Sequence, residues 1–361
     1  MNTNSGFIGF LKEHTIIYLL LREPARIVVD FPKVLSVVRS ESYFPEKERK
    51  SYLKRLMDNL AWLFKYREAN YFYNMYGFDV VWEGNPEEYV DYLSFMIIRD
   101  KMNRTKNSWD NQAVLLRDKF LFYKYMKSNG LPVPEVFAVL NDGEMYNSDF
   151  EPIELDSLAA EKDYFVKDQK GECASFVTHV RDFADLKDKW EEIRKHNCIF
   201  QRAIRQSPAM AEINPGSINT LRIVSINKNG RVYILTSLLR IGTNKTGNVD
   251  NLAKGGLAVG IDEKGVLKQY GYYKPGYGTK TDVHPDSGVR FTSFFIPKWN
   301  EAIDAVMKAH RVFHGLRSIG WDVAITEDGP CFIEGNDNWE ISLHQVADKG
   351  LKREWCEAMG G

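Results

Sequence analysis

Gly320-Trp-Asp-Val-Ala-Ile-Thr-Glu-Asp-Gly-Pro-Cys-Phe-Ile-Glu-Gly-Asn336 reads as two short strands joined by the loop Glu327-Asp328-Gly329. A three-residue hairpin loop with Gly where the backbone turns left-handed is a common connection. With Thr326 opposite Pro330, Asp322 falls opposite Glu334. Asn336 then lies on the same face two residues further on, because strand side chains repeat every second residue. Directly opposed carboxylates, with Cβ atoms about 5 Å apart, repel each other, and the flanking apolar residues weaken solvent screening. A divalent cation resolves the repulsion. Asp322, Glu334 and Asn336 offer hard oxygen ligands suited to Mg2+, which keeps some waters and takes further oxygens from substrate phosphates. The alternative is a solvated hairpin with ordinary surface acids, and a two-residue turn would shift the register and undo the convergence.

Upstream of this hairpin, Trp299, Ile303, Val306 and Phe313 mark one face of a helix that starts at Pro297, where a missing N–H costs little. From Ile218 the pattern is antiparallel: Leu221 to Ile226 and Val232 to Leu239 flank a turn containing Asn229-Gly230. Further back, Tyr164-Phe-Val166 and Cys198-Ile-Phe200 read as strands around a helix with Phe183, Leu186, Trp190 and Ile193 on its face. Asp118 is placed to cap a helix that runs to Asn129-Gly130 and is stopped by Leu-Pro-Val-Pro134. Before about residue 110 the periodicity is helical, with Leu53, Leu56, Leu60 and Leu63 on one stripe. The aromatic residues there, Trp62, Phe64, Tyr66, Tyr71, Phe72, Tyr73 and Tyr76, are read as core packing.

The chain has 361 residues, enough for two to three domains that each bury a core. Its 48 Lys+Arg against 49 Asp+Glu leave a net charge of −1, without the basic excess of a nucleic-acid binder. An apolar content of 44% excludes a disordered chain, and no stretch reaches the roughly 20 apolar residues that span a bilayer. Cys173, Cys198, Cys331 and Cys356 stand far apart with no C-x-x-C pair, so they are expected to be reduced and mostly buried. The apolar run Thr15 to Leu21 lacks a basic leader region and a small-residue cleavage site, so a cytoplasmic protein is expected.

On the other side of the candidate site, Lys167 ends the strand Tyr164-Phe-Val166. It is followed by Asp-Gln-Lys-Gly-Glu-Cys-Ala-Ser175, a loop whose small residues let N–H groups gather round a phosphate. An ordinary hairpin explains this stretch as well, and Lys119 beside Asp118 is a second basic residue at a helix start. Together these segments resemble the ATP-grasp superfamily, in particular its sugar-transfer associated, polysaccharide-locus branch, over about residues 110 to 345. The resemblance rests on Asp118-Lys119, Phe165-Val-Lys167, Phe200-Gln201-Arg202, Ser217-Ile-Asn-Thr-Leu-Arg222, Val249-Asp-Asn251 with Gly255-Gly256, His284-Pro285, Gly320-Trp-Asp322 and Ile333-Glu-Gly-Asn336.

The resemblance implies an α+β ATP-grasp fold of two lobes gripping ATP, residues 111–204 and 205–361, preceded by an all-helical domain over 1–110. It implies that Lys119 and Lys167 contact ATP phosphates, that the loop from Lys170 and Gly171 to Ser175 covers them, and that Gln201, Arg202, Ala203 and Ile204 form the hinge that holds adenine. Asp322, Glu334 and Asn336 match the family's metal-ligand pattern. Two departures stand out: the loop carries fewer glycines than the family's, and Gln201 occupies a hinge position that often holds Glu. Arg222 shares a face with Val224 and Ile226, so it and Arg240 require anionic partners. Either they stabilise the transferred phosphoryl group or they form structural ion pairs. Asp250, Asn251 and Gly255-Gly256 shape an acceptor pocket or form a plain turn, and His284 is read as structural.

The expected activity is that of a Mg2+ and ATP-dependent carboxylate–amine ligase acting through an acyl phosphate. Its small-molecule carboxylate and amine, or sugar precursor, would belong to a surface polysaccharide, and docking to a glycosyltransferase is a further expectation. The same fold also hosts kinases that phosphorylate a hydroxyl, and a non-catalytic nucleotide-binding partner is the third reading.

Overall fold

The computed structural model describes residues 15–81, 84–103, 112–170, 176–244 and 255–359, with side chains from residue 26 onward. The chain forms two compact units, Met1–Ile97 with Ile341–Arg353, and Ile98–Glu340 with Glu354–Gly361.

The first unit is helical. Helices α1 (Thr15–Arg39) and α2 (Tyr52–Tyr66) pack through Val34, Val38 and Leu63, and Ala69, beyond the end of α2, joins the same cluster. Ser51 caps α2 by accepting from Lys54 N, and Arg67 ends it in a left-handed conformation. Of the stripe read from sequence, Leu63 is buried and Leu56 and Leu60 are half-buried, but Leu53 is exposed: α2 is apolar on more than the one face that packs. Tyr73, Tyr76, Phe78 and Tyr89 interlock ring to ring as a core cluster, but Phe64 and Tyr71, also read as core, are exposed. After the second unit the chain returns here: the buried Gln345 accepts from Val90 N (2.8 Å) and donates to Val90 O (3.1 Å) and to Tyr76 Oη (3.2 Å). Its full hydrogen-bonding complement removes the cost of burying an amide.

α3 (Tyr92–Asn103) leads into the second unit, where α4 (Ala113–Arg117) and α5 (Lys119–Ser128) precede the first sheet. Asp118 caps α5 as expected, accepting from Phe120 N and Leu121 N at 3.0 Å. That sheet contains β1 (Val136–Asn141), β2 (Glu144–Asn147), β3 (Tyr164–Asp168), β4 (Val177–Val180) and β5 (Cys198–Arg202), in the order β2-β1-β5-β3-β4. α6 (Phe183–Ile193) crosses between β4 and β5, and α7 (Pro208–Ile213) follows.

The second sheet has seven strands: β6 (Thr220–Lys228), β7 (Arg231–Ile241), β8 (Leu257–Ile261), β9 (Leu267–Tyr273), β10 (Lys280–Thr281), β11 (Ser318–Thr326) and β12 (Gly329–Asn336). Their order is β10-β9-β8-β7-β6-β11-β12, antiparallel throughout. Asn229 and Gly230 both take positive φ in the β6–β7 turn, the geometry a tight hairpin needs. α8 (Trp299–Val312) packs beneath this sheet; it begins two residues after Pro297, because Lys298 occupies the cap in a left-handed conformation. Val306, Ala309 and Phe313 meet Ile223, Trp321, Val323 and Phe332 in the core. The fold is thus α+β, with helices packed on both sheets. α9 (Ser342–Ala347) and α10 (Lys352–Met359) close the chain.

Candidate functional site

The hairpin β11–β12 brings Asp322 opposite Glu334 and Gly320 opposite Asn336. It does so by a route different from the one expected. The turn has two residues, with Thr326 paired to Gly329, and a bulge between Asp322 and Val323 takes up Ile333 as the extra residue. The short turn shifts the register by one, and the bulge shifts it back before Glu334.

β6 lies on the other side of β11, with Arg222 opposite Asp322. The Arg222 guanidinium makes a fork on the Asp322 carboxylate, Nε to Oδ1 and Nη2 to Oδ2 at 2.9 Å. From β7, Arg240 Nη1 reaches Asp322 Oδ2 at 2.9 Å. Both arginines are mostly buried and Asp322 almost wholly so. The anionic partner that the two arginines require is therefore the carboxylate read as a metal ligand.

This pairing splits the two opposed carboxyls. Burial raises the Asp322 pKa, but the Arg222 and Arg240 charges outweigh it and hold the group well below the usual carboxylate range. Glu334 goes the other way: burial first, then the Asp322 charge and a hydrogen bond with Asp322, push it up to about 7. Asn336 Nδ2 donates to Glu334 Oε1 at 3.2 Å, which leaves the amide oxygen of Asn336 as an acceptor. A carboxylate that is costly to ionise beside an amide oxygen and a second carboxylate fits a hard cation, which would take the place of the proton on Glu334. The set is small: among the described residues, no group of three or more His, Cys, Asp or Glu converges.

The first sheet supplies the basic side. Lys167, on β3, donates from Nζ to Gln201 Oε1 on β5 at 2.8 Å and lies 5.7 Å from the Phe165 ring centroid. Burial pulls its pKa down to about 8; the Glu334 charge opposes that and the neighbouring Lys119 adds to it. Lys119 is lowered as well, by burial, against the charges of Glu334, Asp168 and Asp118. Glu334 and the two lysines thus act on one another electrostatically, although they come from three elements far apart in sequence. Asp118 joins the parts: its carboxylate accepts from Gln169 Nε2 at 2.9 and 3.2 Å, and Lys119 N donates to Gln169 O at 2.9 Å.

Other candidates lie differently. Lys170 is exposed, 4.0 Å from Asp118 Oδ2. Gly171 and Ser175 lie outside the described residues, as do Cys173, Asp250 and Asn251. The Arg202 side chain is held by Glu135 and Glu161, both at 2.7 Å, and lies over Phe137. Its backbone N and that of Ala203 donate to Glu135 O and Asp163 O, and Ala203 and Ile204 are half-buried. His284 is fully buried and bonds Gly242 O through Nε2 at 2.9 Å. Cys198 is buried, Cys331 half-buried and Cys356 exposed, all three as free thiols.

The sequence reading missed the residues that hold the end of the acidic strand. Asp337 is buried against Arg117 (2.6 and 3.0 Å), Asn103 Nδ2 donates to Asp337 O at 2.7 Å, and Arg99 Nη1 donates to Asn338 O at 2.7 Å and to Trp339 O. Asp337 beside Asn336 was the visible signal, but its partners lie more than 200 residues away in sequence.

Residues 192–358 match the family model for sugar-transfer associated ATP-grasp proteins. No curated protein matches the chain in sequence. Among solved structures, the chain is similar to L-amino acid ligase from Bacillus licheniformis, with 13% identity over 68% of this chain and 48% of that one and a TM-score of 0.40. N5-carboxyaminoimidazole ribonucleotide synthetase from Thermotoga maritima gives 14% identity over 62% and 42%, with a TM-score of 0.36. N5-carboxyaminoimidazole synthetase from Staphylococcus aureus gives 13% over 76% and 58%, with a TM-score of 0.44. The chain spans about half the length of the solved structures it matches.

Proposed function

We propose, on the premise that residues 192–358 are a sugar-transfer associated ATP-grasp region, that the chain is a Mg2+ and ATP-dependent carboxylate–amine ligase. Its substrates in this reading are a surface polysaccharide or its sugar precursor and an amino acid or other amine. In this reading residues 111–204 and 205–361 are the two lobes that take ATP between them, and 1–110 is a helical attachment; the change of sheet between Arg202 and Thr220 supports the boundary between the lobes, while Ile341–Arg353 belong to the helical unit.

The observation that carries the reading is the meeting of Glu334 with Lys119 and Lys167, three groups whose charged forms are each disfavoured by burial. A phosphate chain and a cation together would stabilise the charged forms of all three. Glu334 and Asn336, with Asp322 beside them, would hold Mg2+, which offsets phosphate charge when bound. Lys119 and Lys167 face the phosphates, the Lys170–Ser175 loop covers them, and Gln201 to Ile204 border adenine. A carboxylate oxygen of the substrate attacks the γ-phosphorus and ADP leaves. The amine nitrogen then attacks the acyl carbon, the C–O bond to phosphate breaks, and the ammonium proton passes to solvent. Arg222 and Arg240 stabilise the anionic groups on this face, and no protein nucleophile takes part.

A screen of sugar acids and amino acids for ADP release, followed by an 18O-labelled carboxylate, tests the reading. The label is expected in inorganic phosphate, and hydroxylamine is expected to trap a hydroxamate. Label retained in the organic product together with a phosphate ester would replace the ligase with a kinase.

A further inference from the structure

Arg117 and Asp337 join the two halves of the candidate site, and neither takes part in the chemistry proposed for it. Asp337 follows Asn336 and stands three residues beyond Glu334; Arg117 directly precedes Asp118 and Lys119. The Arg117 guanidinium holds the Asp337 carboxylate at two points, Nε to Oδ1 at 3.0 Å and Nη2 to Oδ2 at 2.6 Å. The carboxylate is buried, while the guanidinium is half-exposed. A two-point fork fixes the direction of approach as well as the distance, which a single ammonium contact does not.

Both ends of the fork are seated on packed parts of the fold. On the strand side, Asn103 Nδ2 donates to Asp337 O at 2.7 Å and to Ser318 O at 2.9 Å, so the residue after β12 is tied to the first residue of β11. On the helix side, α4 lies against the larger sheet: Ala113 and Leu116 belong to its core, and Gln112 Oε1 accepts from Gly315 N at 2.8 Å. A Cβ on Gly335 would stand 2.8 Å from Leu116 Cδ2 and 3.1 Å from the Trp321 ring, so α4 meets β12 where the strand has no side chain. Directly after α4, Lys119 N donates to Gln169 O, the residue that follows β3, and Asp118 accepts from the Gln169 side chain. Arg117 is thus anchored to the end of the acidic strand, while Lys119, two residues on, is bonded to the smaller sheet.

We propose that Arg117 is a positioning residue, whose fork on Asp337 sets the separation of Lys119 from Glu334 and Asn336. The inference rests on the ligase reading, in which phosphate meets Lys119 while Mg2+ meets Glu334 and Asn336. A metal-free nucleotide touches only the basic side and is indifferent to that separation. A nucleotide carrying Mg2+ engages both sides at once, so a shift of about 1 Å between them costs affinity.

Calorimetry on the full chain tests this, with a non-hydrolysable ATP analogue in the presence and absence of Mg2+. Arg117→Lys keeps a countercharge for the buried Asp337 but loses the fork. Arg117→Met combined with Asp337→Asn removes the pair without leaving a lone buried charge. Binding with Mg2+ is expected to weaken about fivefold in the first variant and about tenfold in the second, while the metal-free Kd changes less than about twofold. The ligand-free melting temperature of Arg117→Lys is expected to stay near that of wild type. A lowered melting temperature with both Kd values weakened alike would show a purely structural pair and overturn the proposal, as would unchanged Mg2+-dependent binding in the paired variant. Wild type that binds the analogue equally with and without Mg2+, or not at all, would instead overturn the ligase reading, and the positioning role with it.

Discussion

The seven-stranded sheet and the five-stranded sheet each bring charged groups to the candidate site, but they hold them in opposite ways. In the larger sheet, Asp322 is fixed by backbone register between Arg222 and Glu334, and Arg240 reaches it from the next strand. In the smaller sheet, Lys167 donates to a neutral amide, that of Gln201. The lesson is that charge neutralised inside the fold serves stability, whereas charge left costly by burial is poised for a ligand. Asp322 belongs to the first kind; in the proposed reading, Lys167 and Glu334 belong to the second.

The largest expected effect breaks the stable half. Asp322→Asn keeps the shape but removes the shared countercharge of two mostly buried arginines, and is expected to cost about 3–5 kcal/mol of stability. Urea unfolding midpoints measure this, and a loss below about 1 kcal/mol would show that the arginines are neutralised elsewhere.

Glu68, in the helical unit, sharpens the comparison, because it is a buried carboxyl without a pair of arginines on it. Burial pushes its pKa up to about 7 from an ordinary 4.5. The folded state therefore binds the proton more tightly, and the group's contribution to stability falls as pH rises from about 4.5 to 7, then levels off. Glu68→Gln is expected to raise stability at pH 8 by about 1–3 kcal/mol relative to wild type and to change little at pH 4. Parallel melting curves at the two pH values check the sign.

A smaller effect is expected on the lysine side. Lys167→Ala should change stability by less than about 1 kcal/mol while weakening binding of a non-hydrolysable ATP analogue by about tenfold. Lys170→Ala should weaken it less, because an exposed side chain loses more rotamer freedom when it reaches a phosphate. Calorimetric Kd values in the reverse order would move the main phosphate contact to the loop.

Local periodicity and turn chemistry made much of this legible in the sequence. Alternation along β11 and β12 put Asp322, Glu334 and Asn336 on one face, and the cap at Asp118 and the turn at Asn229-Gly230 were readable from residue type alone. The Asp322–Glu334 pairing was reached through a mistaken loop length that the bulge at Ile333 cancels, and no short-range signal marks that bulge. The pairing of Arg222 and Arg240 with Asp322 was illegible because it depends on strand order, which sequence spacing does not encode. The same holds for Gln345, whose partners Val90 and Tyr76 lie more than 250 residues upstream.

The central claim is that Glu334 carries a site for a cation and nucleotide together. Its most direct test is the melting temperature with a non-hydrolysable ATP analogue, with and without Mg2+, in wild type and in Glu334→Gln. A ligand that binds only the folded state raises the melting temperature. The account predicts a Mg2+-dependent rise in wild type and its loss in Glu334→Gln, with the ligand-free melting temperature of the variant no lower than wild type because a costly buried carboxyl has been removed. Equal shifts with and without Mg2+, or an undiminished Mg2+-dependent shift in Glu334→Gln, would contradict it.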